Sequence, residues 1–194
     1  MHLPDYKEAR KRDIRPYQRI DFKENEEIKG KYSGKKFYLK TYGCQMNEHD
    51  SENIEALLTF LGFKKVSDYL DADLVLLNTC SIRENAHNKA FGMLGRLKHL
   101  KQEKKDLLVG LCGCMAQEAS VVDSILKDYP WVNFVFGTHN MYQLPEIIDK
   151  AIEENKQQIE VFSREGDLIE GLPVLRVNNY KAYVNIIYGC NKFC

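Results

Sequence analysis

Three features are absent from this sequence, and each absence excludes a class of protein. Lys plus Arg and Asp plus Glu number 28 each, so overall charge favours neither a DNA-binding protein nor a membrane-surface protein. The longest apolar stretch, Leu107 to Ala116, is far shorter than the roughly 20 residues that span a membrane. The first residues have no apolar core of a secretory signal, so we expect a cytoplasmic protein.

Apolar residues make up 44% of the 194 positions, which is enough for a folded domain rather than a disordered chain. Residues 1–36 are polar, lack periodicity and carry 11 basic against 7 acidic residues, so we predict a mobile basic leader. Residues 37–155 form the predicted main domain. Beyond them, residues 156–194 are assigned to a linker and to the start of a second, truncated domain.

Strand-like and helix-like segments alternate through the main domain. Continuous apolar runs of strand length are followed by segments with apolar residues at helical spacing. The predicted strands are 37–42, 74–77, 107–111 and 134–137, and the helical faces begin at Ile54, Ala86, Ala119 and Leu144. This alternation predicts an α/β fold with a doubly wound, mostly parallel sheet and right-handed crossovers.

Three of the six cysteines follow predicted strands. Cys44, Cys80 and Cys114 each come shortly after a strand, and parallel strands end at the same edge of a sheet, where ligands bind. Three thiolates at one edge suit either a [4Fe–4S] cluster with one open iron or a zinc ion with His49 or His139 as fourth ligand. Cys112 lies inside an apolar run and is interpreted as a small core residue.

Four segments carry a resemblance to a known family. They are Tyr42 to Glu48 (YGCQMNE), Asn78 to Glu84 (NTCSIRE), Gly113 to Glu118 (GCMAQE) and Tyr188 to Cys194 (YGCNKFC). The first three resemble the signature segments of the N-terminal domain of radical-SAM methylthiotransferases, most closely the tRNA-modifying branch called MiaB. The last resembles the start of the Cys-x3-Cys-x2-Cys motif that opens a radical-SAM barrel.

The resemblance implies a set of ligands and cofactors. Cys44, Cys80 and Cys114 would hold an auxiliary [4Fe–4S] cluster, and Cys190 and Cys194 would be two of three ligands to a second [4Fe–4S] cluster that binds S-adenosylmethionine. The fold implied is a Rossmann- or flavodoxin-like domain followed by the first strand of a truncated barrel. The implied reaction is methylthiolation of C2 of N6-isopentenyl-adenosine at tRNA position 37, with sulfur and electron donors as further partners. The chain by itself is expected to be inactive.

Other functions remain open at this point. Another branch of the family, acting on threonylcarbamoyl-adenosine in tRNA or on a ribosomal protein, is one alternative. A zinc-stapled binding module is an alternative of another class. A flavodoxin-like flavin binder ranks last, because the first strand–helix turn has no glycine-rich phosphate loop.

Several polar residues near the cysteines have two interpretations. Gln45, Asn47 and Asn78 could donate hydrogen bonds to cluster sulfides and tune the cluster's potential. They could equally be turn-forming and helix-capping amides.

The segment from residue 82 to 105 carries seven basic and two acidic residues. It is interpreted first as a solvated helix face and second as an RNA contact.

Overall fold

A computed structural model of the chain describes residues 1, 3, 19–21, 25–81, 84–162, 168–176 and 180–183. Its strands are β1 (Arg19–Asp21), β2 (Lys36–Tyr42), β3 (Lys64–Lys65), β4 (Leu74–Thr79), β5 (Leu108–Cys112), β6 (Phe134–Phe136), β7 (Gln158–Glu160) and β8 (Leu168–Glu170). Its α-helices are α1 (Gln45–Phe60), α2 (Glu84–Glu103), α3 (Ala119–Asp128) and α4 (Leu144–Glu153). Short 3-10 turns include Cys114–Gln117 and Thr138–Gln143.

Six strands form one parallel sheet in the order β3-β2-β4-β5-β6-β7. This confirms the predicted α/β class. β1 and β8 pair separately, also in parallel. In β4 every side chain is buried, as expected for a central strand covered on both faces. Its Val75 and Leu77 face one apolar layer, and its Leu74 and Leu76 face the other.

The helices divide between the two faces of the sheet. α2 and α3 contribute to one apolar layer, and α1 and α4 contribute to the other. The strands from β4 to β7 follow one another across the sheet in chain order, so the connections through α2 and α3 have one hand. The connection through α4 crosses the opposite face and has the opposite hand. Since about 98% of such connections are right-handed, the α4 connection is a left-handed exception, and the prediction of right-handed crossovers throughout is wrong for it.

α1 begins at Gln45, well before Ile54, where the predicted helical face begins. The apolar periodicity starts only at Ile54, whereas the first turns of α1 bury polar side chains instead, among them Asn47 and Asp50. A search for apolar residues at helical spacing therefore misses the first turns. The true start matters for the site, because Cys44 is the N-cap of α1.

Residues outside the predicted main domain also pack on it. The amides of Gly30 and Tyr32 donate to the carbonyls of Phe60 and Leu61, and the Tyr32 ring stacks on Phe63 at 4.9 Å. β7 extends the sheet beyond residue 155. These contacts differ from the sequence-based division, because a short edge strand and a loop held by backbone hydrogen bonds have no helical or alternating period. Where a following domain begins stays a prediction.

Within the described residues, none of the helices combines the length and the apolar character needed to cross a lipid bilayer.

Candidate functional site

Three neighbouring strands end at the same edge of the sheet, and each end leads into a cysteine. Tyr42 of β2 lies opposite Thr79 of β4, and Asn78 of β4 lies opposite Cys112 of β5. Neighbouring strands lie about 4.8 Å apart. Cys44, Cys80 and Cys114 follow these ends by one or two residues, so their loops lie at the same edge of the sheet.

The cysteines differ in their exposure. Cys44 and Cys114 are partly exposed, whereas Cys80 and Cys112 are buried, and none of the four forms a disulfide. Cys112 belongs to the apolar layer under α1 and α4, as its position in an apolar run predicts. Cys44 lies at the N-terminus of α1, where the helix dipole favours negative charge.

Asn47 connects the Cys44 loop to the end of β4. The Asn47 side chain is fully buried. Its Oδ1 accepts from the Cys44 amide at 3.1 Å and lies 3.4 Å from the Cys44 Sγ. Its Nδ2 donates to Asn78 Oδ1 at 3.2 Å and to the Thr79 carbonyl at 3.4 Å. One side chain therefore bonds both to the loop that carries Cys44 and to the two residues before Cys80.

Asn78 and Thr79, at the end of β4, donate further hydrogen bonds to α1 and to β5. Asn78 Nδ2 donates to the Asn47 carbonyl at 2.8 Å and to Ser51 Oγ at 2.9 Å. Thr79 Oγ1 donates to the Cys112 carbonyl at 3.0 Å. Asn78 and Thr79 are both fully buried. The hydrogen bonds thus form a continuous network from α1 through β4 to β5.

Two glycines let the loops approach this network closely. A Cβ on Gly43 would lie 2.1 Å from Asn47 Oδ1, and a Cβ on Gly113 would lie 2.4 Å from the Thr79 carbonyl oxygen. Gly113 also has φ +94°, a conformation that side-chain-bearing residues rarely adopt. The loops that carry Cys44 and Cys114 therefore require glycine at both positions.

The remaining predicted site residues have separate surroundings. Gln45 is exposed and lines a cavity beside Cys44. The His49 ring faces Tyr183 at 6.0 Å, and burial lowers the pKa of His49. His139 lies in the turn after β6. Cys190 and Cys194 lie outside the described residues, so their predicted role stays a prediction.

Over the described ranges, no three His, Cys, Asp or Glu side chains form a group that could hold a metal ion. A zinc ion at about 2.3 Å from each sulfur requires thiolates about 3.8 Å apart. In a [4Fe–4S] cluster each thiolate binds a different iron, so the thiolate sulfurs lie further apart than they would around one zinc ion. In the described residues, neither His49 nor His139 lies in a group with the cysteines that could hold a zinc ion.

A cavity of about 470 Å³ opens beside Cys44. Three carboxylates of α1 line it, from Glu48, Glu52 and Glu55, together with Lys181 and Tyr183 from the segment that follows the sheet. That segment also contacts α1 directly, since the Leu175 amide donates to the Glu52 carbonyl at 3.3 Å. The cavity is therefore acidic on the α1 side.

The sequence analysis missed a buried carboxyl group near the site. Asp50 is only 8% exposed, and its Oδ2 has no hydrogen-bond partner among the described residues. Burial raises the pKa of Asp50 to about 7. Burial, and then the charges of Asp50 and Cys114, raise the pKa of the Cys112 thiol. Thr79 was missed as well, because its only sequence signal is a hydroxyl at a strand end, next to a cysteine.

Two lysines near the C-terminal end of the basic segment bond to neighbouring loops, whereas others in it lie exposed on α2. Lys101 Nζ donates to Asn133 Oδ1 at 3.2 Å and also to the Leu107 carbonyl, and Lys104 Nζ donates to the Leu70 carbonyl. These two lysines hold the loops at the opposite end of α2. Among the exposed residues of α2 are Lys89, Arg96 and Lys98, and no ion pair of theirs occurs in the described part of the chain.

Comparisons with known proteins place the chain among named relatives. The profile of a family described as "Uncharacterized protein family UPF0004" matches residues 36–137. A Bacillus velezensis protein named tRNA-2-methylthio-N(6)-dimethylallyladenosine synthase is 52% identical over 192 residues, which cover 98% of this chain and 38% of that protein. Proteins of the same name from Staphylococcus epidermidis and Staphylococcus aureus are 53% and 52% identical, again over 98% of this chain and 37% of theirs. The chain thus spans less than two-fifths of the length of these relatives.

Proposed function

Because the chain belongs to the family described as UPF0004, we propose that it is the part of a cytoplasmic tRNA methylthiotransferase that holds the auxiliary [4Fe–4S] cluster. Its relatives carry the name tRNA-2-methylthio-N(6)-dimethylallyladenosine synthase. The proposed reaction of the whole enzyme is methylthiolation of C2 of N6-isopentenyl-adenosine at tRNA position 37. Action on another tRNA base or on a ribosomal protein is not favoured by these names.

The observation that carries this proposal is the convergence of three thiol-bearing loops at one sheet edge. Cys44, Cys80 and Cys114 supply the donor set that iron–sulfur clusters use. Two of the thiols are partly exposed and one is buried, so a cluster bound there would have one side in the protein and one side open.

The chain's residues have separate roles in this proposal. When bound, the auxiliary cluster supplies sulfur for the product, while a second cluster and S-adenosylmethionine supply the radical and the methyl group. Cys190 and Cys194, with a third cysteine beyond this chain, would hold the second cluster. Sulfur and electron donors are required as partners. The buried amides and glycines at the sheet edge hold the three cysteine loops in place.

We expect anaerobic reconstitution of the chain to give about four irons and four acid-labile sulfides per molecule. The variant Cys44→Ala/Cys80→Ala/Cys114→Ala should lose them, and Cys112→Ala is the matched control, because Cys112 lies in the apolar layer. Iron and sulfide analysis with absorption spectra measures the result. A colourless chain with one bound zinc would contradict the proposal and favour a zinc-stapled module, as would equal iron in the triple variant and the control.

We further propose that the exposed side of α2 contacts tRNA. Lys89 and Arg96 lie two helical turns apart on the same side of α2. With no carboxylate partner in the described part of the chain, both cations are available to phosphate groups.

Charge reversal tests the tRNA contact. We expect Lys89→Glu/Arg96→Glu to weaken binding of a tRNA anticodon arm and to reduce the slope of log affinity against log salt by about 2. Lys64→Glu/Lys150→Glu is the control, since both lysines are exposed away from α2 and the change in charge is the same. Fluorescence anisotropy between 50 and 200 mM salt, about the range over which such contacts weaken strongly, measures both. Equal effects of the two double variants would contradict this contact.

A further inference from the structure

The hydrogen bonds at the sheet edge leave no side-chain donor of Asn47 or Asn78 for a ligand. Each amide nitrogen has two hydrogens. Those of Asn47 go to Asn78 Oδ1 and the Thr79 carbonyl, and those of Asn78 go to the Asn47 carbonyl and Ser51 Oγ. Donation from these two amides to cluster sulfides would require breaking bonds inside the protein. Their geometry suits holding the loops rather than tuning a cluster.

Thr79 is connected to all three loops that carry the cysteines, to the Cys80 and Cys114 loops directly and to the Cys44 loop through Asn47. Its carbonyl accepts from Asn47, whose Oδ1 accepts from the Cys44 amide. Its hydroxyl donates to the carbonyl of Cys112, two residues before Cys114. Its carbonyl oxygen also lies against Gly113. Thr79 itself is bonded directly to Cys80 in the chain.

We propose that Thr79 is a positioning residue, whose hydroxyl fixes the distance between the Cys80 and Cys114 loops before a cluster binds. This inference rests on the proposed function only for the identity of the ligand. In the described residues the pairing of the neighbouring strands β4 and β5 ends at Asn78 and Cys112. The Thr79 hydroxyl bond to the Cys112 carbonyl continues the connection where the sheet ends.

Two substitutions separate positioning from packing. Thr79→Val keeps the branched shape suited to a buried strand but loses the donor, whereas Thr79→Ser keeps the donor but loses a methyl group. If packing alone mattered, valine would be the milder change. Under the proposal, Thr79→Ser lowers iron affinity less than Thr79→Val does, even if the serine variant is the less stable of the two.

The test measures iron retention against a chelator and the electron paramagnetic resonance spectrum of the reduced, reconstituted chain. We expect Thr79→Val to lose about 10-fold in iron affinity, the lower end of the effect seen when residues that orient ligands are changed. Thr79→Ser should match the unsubstituted chain in affinity and in spectrum. Both variants are measured well below their unfolding temperatures, which thermal melts determine. Equal affinity and equal spectra for the valine and serine variants would overturn the proposal.

A second readout does not require a cluster. In the metal-free chain, we expect Thr79→Val to speed amide hydrogen exchange at Gly113 and Cys114. The valine variant lacks the hydrogen bond from the Thr79 hydroxyl to the Cys112 carbonyl. Thr79→Ser should leave this exchange unchanged. If the unsubstituted chain binds no iron, the proposed function fails while this comparison still decides whether Thr79 positions the loops. Unchanged exchange in the valine variant would overturn the positioning role by itself.

Discussion

Replacing Gly113 by alanine should destabilise the protein by about 2 to 6 kcal/mol, a large part of the total stability of a typical domain. The backbone of Gly113 has φ +94° and ψ −169°, a region open almost only to glycine, which accounts for about 1 to 3 kcal/mol. The added Cβ would also lie 2.4 Å from the Thr79 oxygen and 2.5 Å from Asn78 Oδ1. Relieving that overlap costs about 1 to 3 kcal/mol more.

The matched controls for this substitution are Gly92→Ala and Gly95→Ala. Both glycines lie inside α2, and a Cβ at either position would meet no atom within 4 Å. Each alanine should stabilise the protein by about 0.5 to 1 kcal/mol, because glycine is a poor helix former. Urea unfolding of the metal-free chain measures all three variants. A loss of less than about 1 kcal/mol in Gly113→Ala would show that the loop relaxes easily, and the network would then not be rigid.

Replacing Asp50 by asparagine should change how stability depends on pH. The pKa of Asp50 is raised to about 7 by burial, whereas an unfolded chain has an aspartate pKa of about 3.9. The folded state therefore keeps a proton that the unfolded state releases. As pH rises from about 4 to about 7, this group lowers the free energy of unfolding by about 4 kcal/mol in total, and the loss levels off above that range.

Asp50→Asn removes this titration while keeping the shape of the side chain. We expect the variant to gain stability over the unsubstituted chain as pH rises, with the largest difference above pH of about 7. Asp123→Asn is the control, because Asp123 is exposed on α3. Urea unfolding between pH 5 and 8.5, a range that brackets roughly the upper half of this titration, measures the effect. Parallel curves for the chain and Asp50→Asn would contradict it.

Much of the fold follows from the alternation of apolar patterns. Strands such as Leu74–Thr79 are buried on both faces, and their continuous apolar runs predict this directly. The first turns of α1 are different, because polar residues such as Asn47 and Asp50 fill the buried positions there. The side of the sheet that α4 covers is set by packing against α1, which is a contact between distant segments and has no local pattern.

In the candidate site, too, some features follow from the sequence pattern and others depend on contacts between distant segments. The common edge of Cys44, Cys80 and Cys114 follows from strand ends in a parallel sheet. The role of Thr79 could not be predicted, because it depends on which carbonyl lies across from its hydroxyl, and the strand register determines that. The two interpretations of Asn47 and Asn78 differ only in where their amide hydrogens point, and only three-dimensional geometry distinguishes them.

The left-handed connection through α4 has a consequence for the order of folding. From β2 to β6 the chain can add each strand beside an existing neighbour through connections of a single hand. α4 must then pack on the opposite face of the sheet from α2 and α3. After it, β7 adds to the edge of the sheet as a strand of only three residues. We infer that this C-terminal unit docks last and detaches first, so that partial unfolding begins at β7 and leaves the three cysteine-bearing strand ends paired.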